Sequence, residues 1–230
     1  MSAGPVTPRE TSVAIPPVIV VDAGHNGGNA NAPDAVNRQV PAGRGETKPC
    51  NTTGTATESG YPEHAFTFDV AKRVSDALGA KGLRVVTTRA DDTGVGPCVD
   101  ERAVVGNEAE AEAVVSIHAD GNTAEGARGF HIAYSDPPLN AAQEGPAREL
   151  ADAMREAMNA SGFTPAGYIG EDGLDGRADL AGLNLSERPA ILVECGNMRD
   201  AADAAVMTSP EGRQRYADAI VAGILGYLDG

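Results

Sequence analysis

The stretch "VIVVDAGHNGG", residues 18–28, is an apolar run that stops abruptly at Asp22, Gly24 and His25. A short apolar run bounded by turn-forming residues predicts a buried strand over Val18–Val21. The glycines behind it predict a tight loop. A histidine at the mouth of that strand has three readings: part of a phosphate-cradling Gly loop, an imidazole packed at a sheet edge, or a metal ligand. Asp22, three residues earlier, either orients that imidazole or caps the loop.

Outward from this strand, apolar runs and helical periodicities alternate. Residues 26–62 are polar, rich in Gly, Asn, Pro and Thr, and without periodicity, so they predict a long inserted loop. Pro62 then stands where a first helical position falls, and Phe66, Val70, Val74, Ala77 and Leu78 recur at helical spacing until Gly82 stops the helix. "LRVVTTR" (83–89) predicts a second strand, "DERAVVGNEAEAEA" from Asp100 a helix, and "AVVSIH", ending at His118, a third strand. "GFHIAY" (129–134) predicts a fourth strand, Ala141 to Asn159 one long helix, and "AILVECGN" from Ala190 another strand. Ser209-Pro210 opens the last helix, with Tyr216, Ile220, Ile224 and Leu228 on one face. Alternation of this kind predicts a single α/β domain over residues 17–230, a mainly parallel twisted sheet with helices on both faces. Residues 1–16, with Pro, Ser, Thr and Gly and no apolar core, are expected to be a flexible lead-in.

Charge narrows the function classes. The 18 Lys and Arg face 33 Asp and Glu, a formal net charge of -15, which argues against nucleic-acid and anionic-membrane partners. No apolar run reaches the length of a membrane span. Of the three cysteines, Cys195 lies inside an apolar run and reads as a buried thiol, while Cys50 and Cys98 lie in Gly- and Pro-rich loops and read as a disulfide. A disulfide points to an oxidising compartment, hence to an exported chain whose signal peptide is not part of this sequence. The chain is expected to act as a monomer.

In open α/β sheets, ligands bind at the carboxyl ends of the strands. Here one strand ends in His25, another in His118 and a third in Glu194, and Glu63 lies in the first turn of the helix after the long loop. His25, Glu63 and His118 offer a His2Glu set suited to catalytic zinc, which keeps a fourth position for water. Glu194 would then be the spare carboxylate that takes the water's proton. Each residue also has a plainer reading. His25 alone suits a backbone hydrogen bond, Glu63 alone suits a helix N-terminus, and His131 inside its strand reads as structural or solvent-facing. His64 reads as a solvated helix residue. Glu194 resists such a reading best, because an acid closing a buried apolar strand is costly unless paired. "GHNGGN" lacks the Lys-Ser/Thr of a P-loop, no GxSxG nucleophile elbow exists, and Cys195 lies within a strand rather than in an exposed turn.

The motifs "IVVDAGHNGG", "GYPEHAFTFDVAKRVSDAL", "VVTTRADD", "ERAVVGN", "VVSIHAD" and "LNLSERPAILVECGNM" occur in this order. Together they resemble the zinc-dependent N-acetylmuramoyl-L-alanine amidases of the Amidase_3 type, and most the stand-alone mycobacterial members. The resemblance runs from about Val18 to the C-terminal helix. It implies one zinc ion held by His25, Glu63 and His118, with Glu194 as catalytic carboxylate. It implies hydrolysis of the amide between N-acetylmuramic acid and L-alanine in peptidoglycan or muramyl-peptide fragments, in wall turnover or daughter-cell separation. Two features depart from the family pattern: the stretch from His25 to Glu63 is longer, and Gly196-Asn197 stand where many members carry an aromatic residue. A Cys50–Cys98 bridge would staple that longer stretch to the domain.

Overall fold

The computed structural model describes residues 16–230, so the expected lead-in lies outside the described residues except for Pro16. In chain order the elements are β1 (Val18–Ala23), α1 (Pro33–Val36), β2 (Gln39–Gly43), β3 (Glu46–Pro49), α2 (Glu63–Ala80), β4 (Arg84–Thr87), α3 (Val99–Glu108) and β5 (Ala113–Asp120). They continue with β6 (His131–Ser135), α4 (Ala141–Glu144), α5 (Pro146–Ala160), β7 (Leu174–Arg177), α6 (Ala181–Asn184), β8 (Ala190–Asn197), α7 (Ala201–Thr208) and α8 (Pro210–Leu228). Six strands form one sheet in the order β4-β1-β5-β8-β6-β7, parallel except where β6 meets β8.

Alternation along the strands divides the side chains between two layers. Ile19 and Val21 of β1, Val115 and Ile117 of β5, and Ile191 and Val193 of β8 bury against α2, α5 and α8. The periodic residues Phe66, Val70, Val74 and Leu78 of α2 and Tyr216, Ile220 and Ile224 of α8 complete that core. The opposite face carries Val20, Val114, Ala133 and Ala190 beneath Leu183 of α6. Helices on both faces and a mostly parallel sheet are the expected architecture.

Three expectations need correction, and two elements were not anticipated. Residues 26–62 are not a bare loop: they hold a 3-10 turn (Asn29–Asn31), α1 and the antiparallel β2–β3 hairpin. Their order comes from point attachments that leave no period in the sequence. Asn184 Nδ2 donates to the Ala42 carbonyl (2.9 Å), Arg44 Nε donates to Asn184 Oδ1 (3.1 Å), and Lys48 Nζ donates to the Asp179 carbonyl (2.9 Å). The helix expected over 141–159 is two, because Gly145-Pro146 interrupts it: proline lacks the donor and crowds the residue before it. Pro62 is the N-cap of α2 and Glu63 its first residue. The edge strand β7 and helix α7 carry too short a pattern to be read.

The expected pairing of Cys50 with Cys98 is present, at a sequence separation of 48. The bridge ties the end of the hairpin to the N-cap of α3, and Val99 N donates to the Cys50 carbonyl across it (2.8 Å). Replacing both cysteines by serine is expected to lower the unfolding free energy by about 2–4 kcal/mol, read from urea denaturation. Hydrogen exchange of the 39–49 hairpin should rise in the same variant.

Candidate active site

At the carboxyl end of β1 the chain turns through Gly24 into His25, whose φ of 60° is left-handed. A non-glycine residue there is uncommon and needs support. The space demands glycine at position 24, since a Cβ on Gly24 would lie 2.3 Å from the His118 ring. Arg102 of α3 supports the turn from beneath: it donates to the Ala23 carbonyl (2.7 Å) and to the His25 carbonyl (3.0 Å). Its guanidinium is held in turn by Asp22 (2.5 Å). Asp22 therefore neither orients the imidazole directly nor caps the loop. It anchors the arginine that fixes the His25 backbone.

Arg89 does the same from the other side. It donates to the carbonyls of Ala23 (3.0 Å), Gly24 (3.3 Å) and His64 (2.8 Å), which joins the first turn of α2 to the end of β1. Thr67 Oγ1 adds a bond to the Gly24 carbonyl (2.7 Å). Sequence reasoning missed these residues. For Arg102 a signal exists: it shares the buried face of α3 with Ala103 and Gly106. An arginine on the inward face of a helix is expensive unless a partner waits for it.

On this frame His25, Glu63 and His118 meet, with one ligand atom of each lying within 4.8 Å of the others. His25 Nε2 is 3.1 Å and His118 Nδ1 is 3.0 Å from the same carboxylate oxygen, Glu63 Oε1. The second oxygen, Oε2, accepts from Thr55 N (2.9 Å). His25 Nδ1 lies 3.2 Å from the Thr52 carbonyl; an N–H donated there leaves Nε2 with its lone pair facing the cluster. Thr52 follows Cys50 closely, so the disulfide bears on the orientation of this ring.

The electrostatics set the four residues apart. Burial alone would raise the pKa of Glu63, but the adjacent imidazoles of His25 and His118 outweigh it and hold the carboxyl ionised. Burial lowers His118 below its ordinary value; for His25 the Glu63 charge overcomes burial and raises it. Glu194, register partner of His118 on the neighbouring strand, goes the other way. Burial, then the charges of Glu63 and Asp120, push it well above the ordinary carboxyl range. Its Oε2 is buried with no hydrogen-bond partner.

The remaining histidines fall outside the cluster. His64 pairs with Asp92 (2.7 Å) and is partly buried, not freely solvated. His131 is 3% exposed, so it does not face solvent. Cys195 is buried in the core, where burial raises its thiol far above the range of a nucleophile. Beside the cluster, on the α3–α6 side of the sheet, lies a cavity of about 260 Å³ reaching from His25 and His118 to Val114, Leu180, Leu183 and Leu192.

Fold and site define a class first: an α/β protein with a cluster of metal-capable donors, His25, Glu63 and His118, at the carboxyl edge of a mostly parallel sheet. A family model described as N-acetylmuramoyl-L-alanine amidase, Amidase_3, matches residues 19–226. The N-acetylmuramoyl-L-alanine amidase Rv3717 of Mycobacterium tuberculosis is 54% identical over 211 residues, covering 92% of this chain and 86% of that protein. The crystal structure of the N-acetylmuramyl-L-alanine amidase Ami1 from Mycobacterium smegmatis superposes with a TM-score of 0.90 at 54% identity, covering 93% of this chain and 97% of that one. The apo form of Ami1 from Mycobacterium abscessus gives a TM-score of 0.89 at 52% identity, covering 92% and 98%. The chain belongs to the N-acetylmuramoyl-L-alanine amidase family, hydrolases that act on amide bonds. The resemblance carried by the six motifs is borne out.

Asp22 gives the site an acid limit. Burial would raise its pKa, but the Arg102 charge and the hydroxyls of Ser116 and Thr88 reverse this and lower it from 3.8 to about 2. A carboxyl depressed on folding stabilises fully above its unfolded value, so the contribution is intact above pH 3.8 and is lost as the pH falls through about 2. The loss amounts to about 2 kcal/mol. Asp22→Asn should cost about 3 kcal/mol or more at pH 7, by leaving Arg102 buried and unpaired. Urea titrations at stepped pH should show this part of the acid slope missing in the variant.

Proposed function

We propose that the chain is a zinc-dependent N-acetylmuramoyl-L-alanine amidase that cleaves the amide between N-acetylmuramic acid and L-alanine. The observation that carries this reading is the convergence of two imidazole nitrogens on Glu63 Oε1, with Glu194 one strand away. The donor set fits zinc: two neutral-capable imidazoles and one carboxylate, within 4.8 Å of one another, are borderline ligands in the number a catalytic site uses. His25, Glu63 and His118 would hold the ion. When bound there, zinc would polarise the scissile carbonyl, acidify a water beside Glu194 and offset the repulsion between Glu194 and Glu63.

The other roles fall to the chain itself. Glu194 accepts a proton from the attacking water on its carboxylate and returns it to the departing amine of L-alanine. An amide nitrogen leaves poorly until protonated, so the same carboxyl serves as base and then as acid. Asp22, Arg102 and Arg89 hold the turn in place while the charge moves. The disulfide supports an oxidising, exported setting, and the family supports action in the cell wall, in its turnover or in daughter-cell separation.

Glu194→Gln should retain zinc, measured by calorimetric titration, and lose turnover by at least about a hundredfold. Mass spectrometry of products from a defined muramyl peptide should show a free L-alanine amino terminus and an intact sugar, abolished by chelator and restored by zinc. Cleavage at another peptide bond would make the chain a different zinc peptidase, and unchanged turnover in the variant would remove Glu194 from the mechanism.

The net charge of -15 adds a substrate preference. Repulsion from a polyanionic wall should favour soluble muramyl peptides over intact sacculi at low ionic strength. Added salt should narrow the difference by screening. Equal rates on both substrates without salt would contradict it.

A further inference from the structure

His131 is a buried histidine that the mechanism above does not use. It lies on β6, where the antiparallel register sets its Cα opposite that of Glu194 on β8. Residues directly opposite in an antiparallel pair point to the same face and stand side by side. Glu194 is likewise paired with His118 on β5, so one row across the sheet reads His118, Glu194, His131. His131 is 3% exposed, and its Nδ1 is buried without a hydrogen-bond partner among the described residues. Its neighbour Glu194 has a buried, unpartnered Oε2. A buried polar atom left unsatisfied is costly. Two such atoms on opposed residues are a donor and an acceptor waiting for each other.

The surroundings allow the ring to act as a donor. Burial lowers its pKa below the ordinary histidine value, against the opposing charges of Asp175 and Asp120, so the ring is neutral at pH 7 and carries one N–H. Its far side is closed by Tyr168, whose ring stands edge-on at 6.3 Å and whose hydroxyl donates to Asp120 Oδ2 (2.6 Å). Asp175, one row along on β7, already takes Arg177 (3.3 Å) and leaves the imidazole without a competing partner.

We propose that His131 is a positioning residue for the amidase reaction, donating Nδ1–H to the Glu194 carboxylate and aiming it at the attacking water. The proposal rests on the role given to Glu194 above. It assigns His131 no contact with the scissile bond. With the donor in place, one carboxylate oxygen is pinned and the other is presented to water, which spares the search among rotamers in each catalytic cycle.

The contact can be read without metal or turnover. Long-range 15N–1H spectra of the metal-free protein, with labelled histidine, should show His131 in the tautomer protonated at Nδ1. Glu194→Ala should shift that resonance and leave the His64 resonances in place. An Nε2–H tautomer, or a His131 resonance indifferent to Glu194→Ala, would overturn the proposal whatever the activity of Glu194 variants. In the zinc-loaded enzyme, His131→Leu should lower kcat by roughly ten- to a hundredfold with KM and zinc affinity unchanged. His131→Asn, whose amide can place a donor near the Nδ1 position, should recover much of the loss. A folded His131→Leu with wild-type kcat, or a folded His131→Asn no better than His131→Leu, would also overturn it. Wild-type turnover in Glu194→Gln is the separate result that would sink the catalytic reading itself.

Discussion

The site depends on a left-handed histidine at the end of a buried strand, and on the ion pair beneath it. Asp22 and Arg102 are both nearly inaccessible, and burying two charges is rarely stabilising by itself. Here the pair also satisfies two backbone carbonyls, of Ala23 and His25, at a turn where the strand can no longer do so. With Ser116 and Thr88 on the carboxylate, the charged groups are hydrogen-bonded as well as paired. The arrangement converts an electrostatic cost into a rigid turn. His25 can hold an unfavourable φ because the surrounding bonds determine its backbone from both sides.

Two glutamates on that frame have their pKa values driven in opposite directions by their surroundings. Glu63 begins a helix, takes backbone N–H bonds from Thr55 and Ala119, and faces two imidazoles, so it stays charged. Glu194 has a buried Oε2 with no donor and other carboxylates for neighbours, which push its pKa well above the ordinary carboxyl range. Paired titratable groups pushed apart in this way mark a division between a fixed charge and a proton carrier. Glu63 is suited to ligation and Glu194 to transfer, although the side-chain chemistry is the same.

What the sequence disclosed follows from where its signals are local. Strand ends at His25, His118 and Glu194 were legible because each closes an apolar run, and α/β sheets gather such ends along one edge. Phe66 to Leu78 and Tyr216 to Ile224 were legible because burial on one helix face repeats. The 39–49 hairpin was not, since Ala42, Arg44 and Lys48 are held by Asn184 and Asp179, far away in sequence and without periodicity. The break at Gly145-Pro146 was written in the proline, yet helical periodicity on either side concealed it. His131 looked ordinary inside "GFHIAY" because its significance is a cross-strand relation. No single-strand pattern contains the fact that it stands opposite Glu194.

Register therefore carries as much of the site as residue identity does. Ile191, Val193 and Cys195 of β8 are locked into the α2–α5–α8 core, which forces Leu192 and Glu194 to the other face. A slip by one residue would send Glu194 into the core and Cys195 to the reaction edge. The pairing of β5 with β8 stays in step through His118 and Glu194, then breaks so that Asp120 meets Asn197. A bulge placed there bends β8 immediately past the carboxylate and ends the regular ladder. The strand is in register as far as the row of three polar side chains and released directly after it. That release brings Asn197 to the Asn122 and Ala127 carbonyls (2.8 and 2.6 Å), closing the loop that follows β5 over the same edge. Core packing on one face thus sets the chemistry on the other, and the irregularity marks where the fold gives way to the site.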